Sequence, residues 1–69
     1  MKFTVSKFPY PNTDKTVWQL LDSHGFPLCK EQDEQTVYAL AREILHQTKG
    51  NELYLWDYFK QTETLIDRN

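Results

Sequence analysis

The sequence predicts an α+β domain: an antiparallel sheet of four to five strands with one amphipathic helix packed on one face, in the order β-β-β-α-β-β. Three observations carry that expectation. Apolar residues recur at intervals of three and four between Glu34 and Thr48. Apolar and polar residues alternate on either side of that stretch. Proline, asparagine, aspartate and glycine punctuate the alternating segments at the places where turns are needed.

Taken in order, Phe3 and Val5 share one face of a first short strand, with Thr4 and Ser6 on the other. The run Pro9-Tyr10-Pro11-Asn12-Thr13-Asp14 stops it, because prolines remove ladder donors and Asn and Asp favour turns. A second strand, Thr16 to about Asp22, sets Trp18 and Leu20 against Val17, Gln19 and Leu21. Asp22-Ser23-His24-Gly25 reads as a hairpin turn into a third strand over Phe26–Glu31, which Pro27 confines to a sheet edge or an irregular start.

The helix is expected over Glu34–Thr48, with Val37, Leu40, Ala41, Ile44, Leu45 and Thr48 on one stripe. Asp33 is a natural N-cap, Glu34 suits the positive end of the helix dipole and Lys49 the negative end. Gly50 or Asn51 can close the helix in the left-handed conformation. The opposite face carries Glu34, Gln35, Arg42, Glu43, His46 and Gln47, a solvated set.

After the helix, Glu52 to about Phe59 alternates strongly: Leu53 and Leu55 point one way, Tyr54, Trp56 and Tyr58 the other. A last strand, about Thr64 to Arg68, pairs with it through a Phe59–Glu63 turn. There are no repeats and no linker.

Composition narrows the function. The 69 residues make a single domain, 1–69, whose core supplies only ~3–5 kcal/mol of net stability and little to hold a strained catalytic pocket. A net charge of -2 argues against a dedicated phosphate-backbone binder. The lone Cys29 excludes an internal disulfide and fits a reducing, cytoplasmic setting. Met1–Lys7 contains no apolar run of the kind a signal peptide needs, and no apolar stretch is long enough to span a bilayer.

The order of motifs resembles a small family of bacterial and phage domains, domain-of-unknown-function family 2188. The first strand Phe3-Thr4-Val5-Ser6 and the Pro/Asn-rich turn after it are similar to that family's opening. So are Trp18-Gln19-Leu20 and the helical run Thr36-Val37-Tyr38-Ala39-Leu40-Ala41-Arg42. The strand Asn51-Glu52-Leu53-Tyr54-Leu55-Trp56-Asp57 completes the likeness. The chain departs from the family at the last hairpin, where Tyr58-Phe59-Lys60-Gln61-Thr62-Glu63 replaces a tight Asp-Gly turn. The resemblance implies the fold and a phage or mobile-element setting; it brings no activity.

No catalytic constellation stands out, and the chain is not expected to be an enzyme. Cys29 with His24 or His46 is the only thiol–imidazole combination, and nothing supplies an orienting third group or an oxyanion site. One cysteine and two distant histidines fall short of a zinc set, so no metal is expected. With Gly25 and Gly50 as the only glycines there is no phosphate loop, and no cofactor is expected. Asp33-Glu34 suits a helix start, and Glu52 and Asp57 stand at opposite ends of a strand.

The aromatic content, 14% of residues, is concentrated enough to matter. If Leu53 and Leu55 face the helix, Tyr54, Trp56 and Tyr58 form a row on a sheet face that a single helix cannot cover, of the size that marks binding sites. The alternative turns the strand over, with Trp56 in the core. The expected function is a small protein-interaction module, an adaptor or inhibitor, binding a protein partner or itself through Tyr54, Trp56 and Tyr58. The second reading is a nucleic-acid module that stacks bases on the same aromatics with Lys60 at the backbone. Its weakness is charge: from Glu52 onward, four carboxylates face only Lys60 and Arg68.

Overall fold

The computed structural model describes residues 1–69 and contains five elements. These are β1 (Lys2–Pro9), β2 (Thr16–Leu21), α1 (Glu34–Gln47), β3 (Glu52–Asp57) and β4 (Thr62–Arg68). The strands form one sheet in the order β2-β1-β3-β4. β1–β2 and β3–β4 are antiparallel hairpins, but the central pair, β1 and β3, is parallel. The α+β class and the single helix stand; the sheet is mixed where an antiparallel one was expected, and it has four strands.

The cause lies between Asp22 and Asp33. The segment expected to be a third strand runs back along the outer edge of β2 without joining the sheet as a strand. Leu28 donates its N–H to the carbonyl of Leu20 (2.8 Å), and Gln32 exchanges both backbone bonds with Trp18. Only isolated bridges form, Leu21 with Pro27 and Trp18 with Gln32, because the register slips by two residues between them and the Cys29 carbonyl accepts from the Gln19 side chain instead of continuing the ladder. This return carries the chain back to the end of the sheet where β2 began. The helix then travels the length of the sheet again, and β3 enters beside β1 in the same direction. A helical crossover of this kind is the ordinary way to join parallel neighbours.

The helix begins as its sequence dictates. Asp33 is extended (φ -75°, ψ 162°), and its carboxylate accepts from the backbone N–H and hydroxyl of Thr36. Thr48 leaves the helical conformation and caps the C-terminus, so it is exposed and outside the apolar stripe. Gly50 takes φ 94°, the left-handed turn that reverses the chain into β3.

Six side chains make the core: Val5, Leu20 and Leu53 from the sheet against Val37, Ala41 and Leu45 from the helix. Each buried large aliphatic contributes ~1.5–3 kcal/mol. Phe3, Trp18, Cys29, Tyr38, Leu40, Ile44 and Leu55 close a half-buried ring around them. The helix packs on β1, β2 and β3 and leaves β4 uncovered, so all seven residues of β4 are exposed.

Asn51 ties the ends of these elements together. It is 3% exposed, donates from Nδ2 to the Ile44 carbonyl (3.0 Å), and accepts at Oδ1 from the amino group of Met1 (3.2 Å). Its backbone carbonyl accepts from Asn69. Replacing Asn51 with Ala strands a helix carbonyl and cuts a link between α1 and β1, at a cost of about 2 kcal/mol in a urea titration. An unchanged midpoint would contradict this role.

A pH effect follows from two turns. The carboxyl of Asp33 is held below the usual aspartate range first by the Thr36 hydroxyl, and that of Asp22 first by the N–H of Phe26. Stability from such groups is complete above the ordinary aspartate pKa and drains away as pH falls through the lowered values. The loss of stability on acidification should therefore shrink in the Asp22→Asn, Asp33→Asn double variant, read from urea midpoints at neutral and acid pH.

Candidate functional site

The parity of β1 decides which side of the sheet is bare. Val5 is fully buried beneath the helix, so Lys2, Thr4, Ser6 and Phe8 point to the opposite face. On β3, Leu53 is buried and Leu55 packs on the core. Tyr54 and Trp56 therefore share the bare face with Glu52, and the arrangement with Trp56 in the core does not occur. Register places Thr4 beside Tyr54 and Ser6 beside Trp56. From the outer strands, Leu21 lies beside Thr4, Gln19 beside Ser6, Leu65 beside Tyr54 and Glu63 beside Trp56.

β3 ends at Asp57, so Tyr58 stands in the turn and not in the strand, where alternation had placed it. Its N–H still bonds the Lys7 carbonyl (2.9 Å), which extends the β1 ladder by one step. The ring remains on the bare face, across a hollow from Ser6, Phe8 and Gln19. Tyr54 and Trp56 are half-buried by their neighbours, whereas Tyr58 is 51% exposed. The Tyr58 and Phe59 rings meet edge to face at 6.2 Å.

The turn that presents these rings is organised by Asp57. This carboxylate is 7% exposed; Oδ1 accepts from the N–H groups of Phe59 (2.9 Å) and Lys60 (3.3 Å), and Oδ2 lies 3.9 Å from the Lys7 ammonium. Gln61 closes the turn at φ 54°, and its side chain donates to the Tyr58 carbonyl.

Lys2 is the feature of the face that alternation alone did not bring out. Its ammonium lies 4.7 Å from the centre of the Tyr54 ring and continues to the Glu63 carboxylate on the far side of β3. That hydrogen bond is the main cause of a lysine pKa above the ordinary value, with the carboxylates of Glu63 and Glu52 adding to it. The Lys2–Glu63 pair roofs one side of a hollow of about 240 Å³ whose other walls include Thr4, Leu21 and Trp56. Two cations, Lys2 and Arg68, and two carboxylates, Glu52 and Glu63, leave the face neutral.

Comparison with family models, with curated proteins and with solved structures finds no match to this chain. The face therefore has to be read from its own chemistry.

The remaining candidates are dispersed. Cys29 is half-buried against the core, and its carbonyl accepts from Gln19 Nε2 (3.1 Å). His24 lies exposed in the Asp22–Gly25 turn and His46 exposed in the last turn of α1. Nowhere do three His, Cys, Asp or Glu side chains converge as metal ligands would. The residues placed together on the bare face are thus Tyr54, Trp56 and Tyr58 with Lys2, Phe8 and Leu21, an amphipathic surface.

Substituting Asp57 with Ala should loosen the turn and cost about 2 kcal/mol, because two N–H groups lose a charged acceptor. The measurement is a thermal melt, with the hydrogen-exchange rates of the Phe59 and Lys60 amides as the local readout. Protection of those two amides in the variant would contradict the assignment.

Proposed function

We propose that the protein is an interaction module that binds a protein surface through the bare face of its sheet, with Tyr54, Trp56 and Tyr58 as the principal contacts. The observation that carries the reading is that one sheet face is packed under the helix while the other, carrying these rings, has no layer over it. Sheets ordinarily bury a face against another layer, and a bare aromatic face has the make-up of an interface centre. Tyrosine and tryptophan give large contact areas for little loss of side-chain freedom. The neutral balance of charge suits a protein partner. An adaptor or inhibitor acts by occupying a partner's surface, which a rigid platform of this size can do without chemistry of its own.

The nucleic-acid reading has less support from the geometry. Lys2 is engaged by Glu63, and Lys7 points to the helix side near Asp57. Arg68, in the first row of the face, and Lys60, exposed in the turn, are left without a salt bridge, two dispersed cations and too little charge for a phosphate track.

The test compares wild type with Trp56→Ala in affinity capture from nuclease-treated lysate, with circular dichroism on both. Trp56 lies away from the six-residue core, so the variant should keep its helix signal and melt within a few degrees of wild type. A partner held by wild type and lost by the folded variant supports the module. A folded variant that captures the same protein equally well removes Trp56, and the face with it, from the interaction.

A further inference from the structure

The bare face is self-complementary, and we infer that its partner is a second copy of this chain, docked sheet to sheet about a twofold axis that runs parallel to the strands between β1 and β3. This rests on the reading of the face as an interaction surface and names its occupant.

Side chains on the face fall into rows across the sheet. The first row is charged: Lys2 on β1, Glu52 on β3, Arg68 on β4. The second runs Leu21, Thr4, Tyr54, Leu65, and the third Gln19, Ser6, Trp56, Glu63. The fourth holds Val17 and Phe8, with Tyr58 beside them at the end of β3.

A half-turn about an axis along the strands keeps every row facing its own kind and reverses the order across it. β1 then lies over β3 of the second copy, and β2 over β4. In the first row Lys2 meets Glu52 of the second copy, and Glu52 meets its Lys2. Arg68 falls over the turn that carries Asp22. In the second row leucine meets leucine at both flanks, Leu21 over Leu65. Along the centre, large side chains meet small ones: Tyr54 over Thr4 and Trp56 over Ser6. That alternation lets two sheets close to the ~10 Å spacing of a packed sandwich. In the fourth row Phe8 meets Tyr58.

The other simple arrangement, a half-turn across the strands, lays the charged row over Phe8 and Tyr58 and leaves its ions facing apolar rings. Desolvating unpaired charges in that way is costly. Lys2 needs little movement: from its place over Tyr54 it keeps Glu63 of its own sheet and reaches Glu52 of the other, while Glu63 lies over Gln19 of the second copy.

The footprint sets the strength. Four strands ~4.8 Å apart and about six residues long at ~3.4 Å each give roughly 400 Å² per copy. That planar footprint is small beside the ~800 Å² of accessible surface a standard interface buries on each side, which places the dimer in the weak class.

Sedimentation equilibrium and diffusion NMR, from about 10 μM to about 1 mM, read the association, a range set by the weak-interface class. The expected result is a wild-type monomer–dimer equilibrium. Lys2→Glu and Glu52→Lys should each weaken it about tenfold, since each sets two like charges face to face. An equimolar mixture of the two variants should recover wild-type association, because the mixed dimer has opposite charges at both contacts. The double variant K2E/E52K should recover it alone, and it also restores the within-sheet neighbours if either single variant melts early. A wild type that stays monomeric at the highest concentration overturns the inference. So does a dimer whose singles are unimpaired or whose mixture gains nothing. Capture of another protein through Trp56 by a monomeric wild type would leave the interaction reading standing while this inference falls. Loss of neither capture nor dimer in a folded Trp56→Ala would end that reading instead.

Discussion

The parallel pairing of β1 and β3 at the centre of the sheet is the constraint on which the rest of the molecule depends. Parallel neighbours cannot be joined by a tight turn, so the chain between them must cross over one face. Here the crossover carries the only helix, and the two hairpins can only add strands at the outside. One face is therefore covered and the other bare, and the same topology fixes which residues are on each. β2 gains a partial cover on its outer edge from Pro27–Gln32, whereas β4 has no helix packed on it and no strand on its outer edge. An irregularity in the pairing of Leu53 and Tyr54 with β4 gives that free edge a local kink, a device that discourages further strands from adding there.

What was legible in the sequence was whatever depends on period. The helix was readable because Val37, Ala41 and Leu45 recur on one stripe and Asp33 stands where a cap is needed. The sides of β3 were readable because Leu53-Tyr54-Leu55-Trp56 alternates so sharply. Strand direction was not, since nothing in a strand's own residues records whether its neighbour runs with it or against it. The segment after Gly25 misled for a related reason. Phe26, Leu28 and Lys30 alternate with their neighbours loosely enough to suggest a strand, yet the chain only brushes the edge of β2, bridging at Pro27 and again at Gln32 after a two-residue slip in register.

The same distinction explains the site. Tyr54 and Trp56 were visible as a row, but Tyr58 was assigned by extending the alternation past Asp57, where the carboxylate instead captures the next N–H groups and turns the chain. Lys2 and Phe8 belong to the face by the parity of β1, which the buried Val5 fixes. Their place beside Tyr54 and Tyr58 depends on the β1–β3 pairing, information held only in the tertiary fold. Glu63 likewise meets Lys2 across β3 because the last hairpin's register sets it beside Trp56.

The small core gives the bare face a consequence for stability as well as for recognition. With six fully buried side chains, the domain has little hydrophobic surplus, and the half-buried Tyr54 and Trp56 supply part of the sheet's cohesion through cross-strand contacts worth roughly 0.2–1 kcal/mol each. Lys2 adds to this by lying over Tyr54, so the free molecule already shields some of the ring. Any partner that covers the face buries what remains exposed and removes the water from the Lys2–Glu63 pair. Binding and folding then draw on the same side chains, and a partner present above its dissociation constant stabilises the fold by mass action. Occupation of the face should consequently protect the β1–β3 pair more than the helix caps, because the pair lies directly beneath the contact and the caps lie on the other side of the sheet.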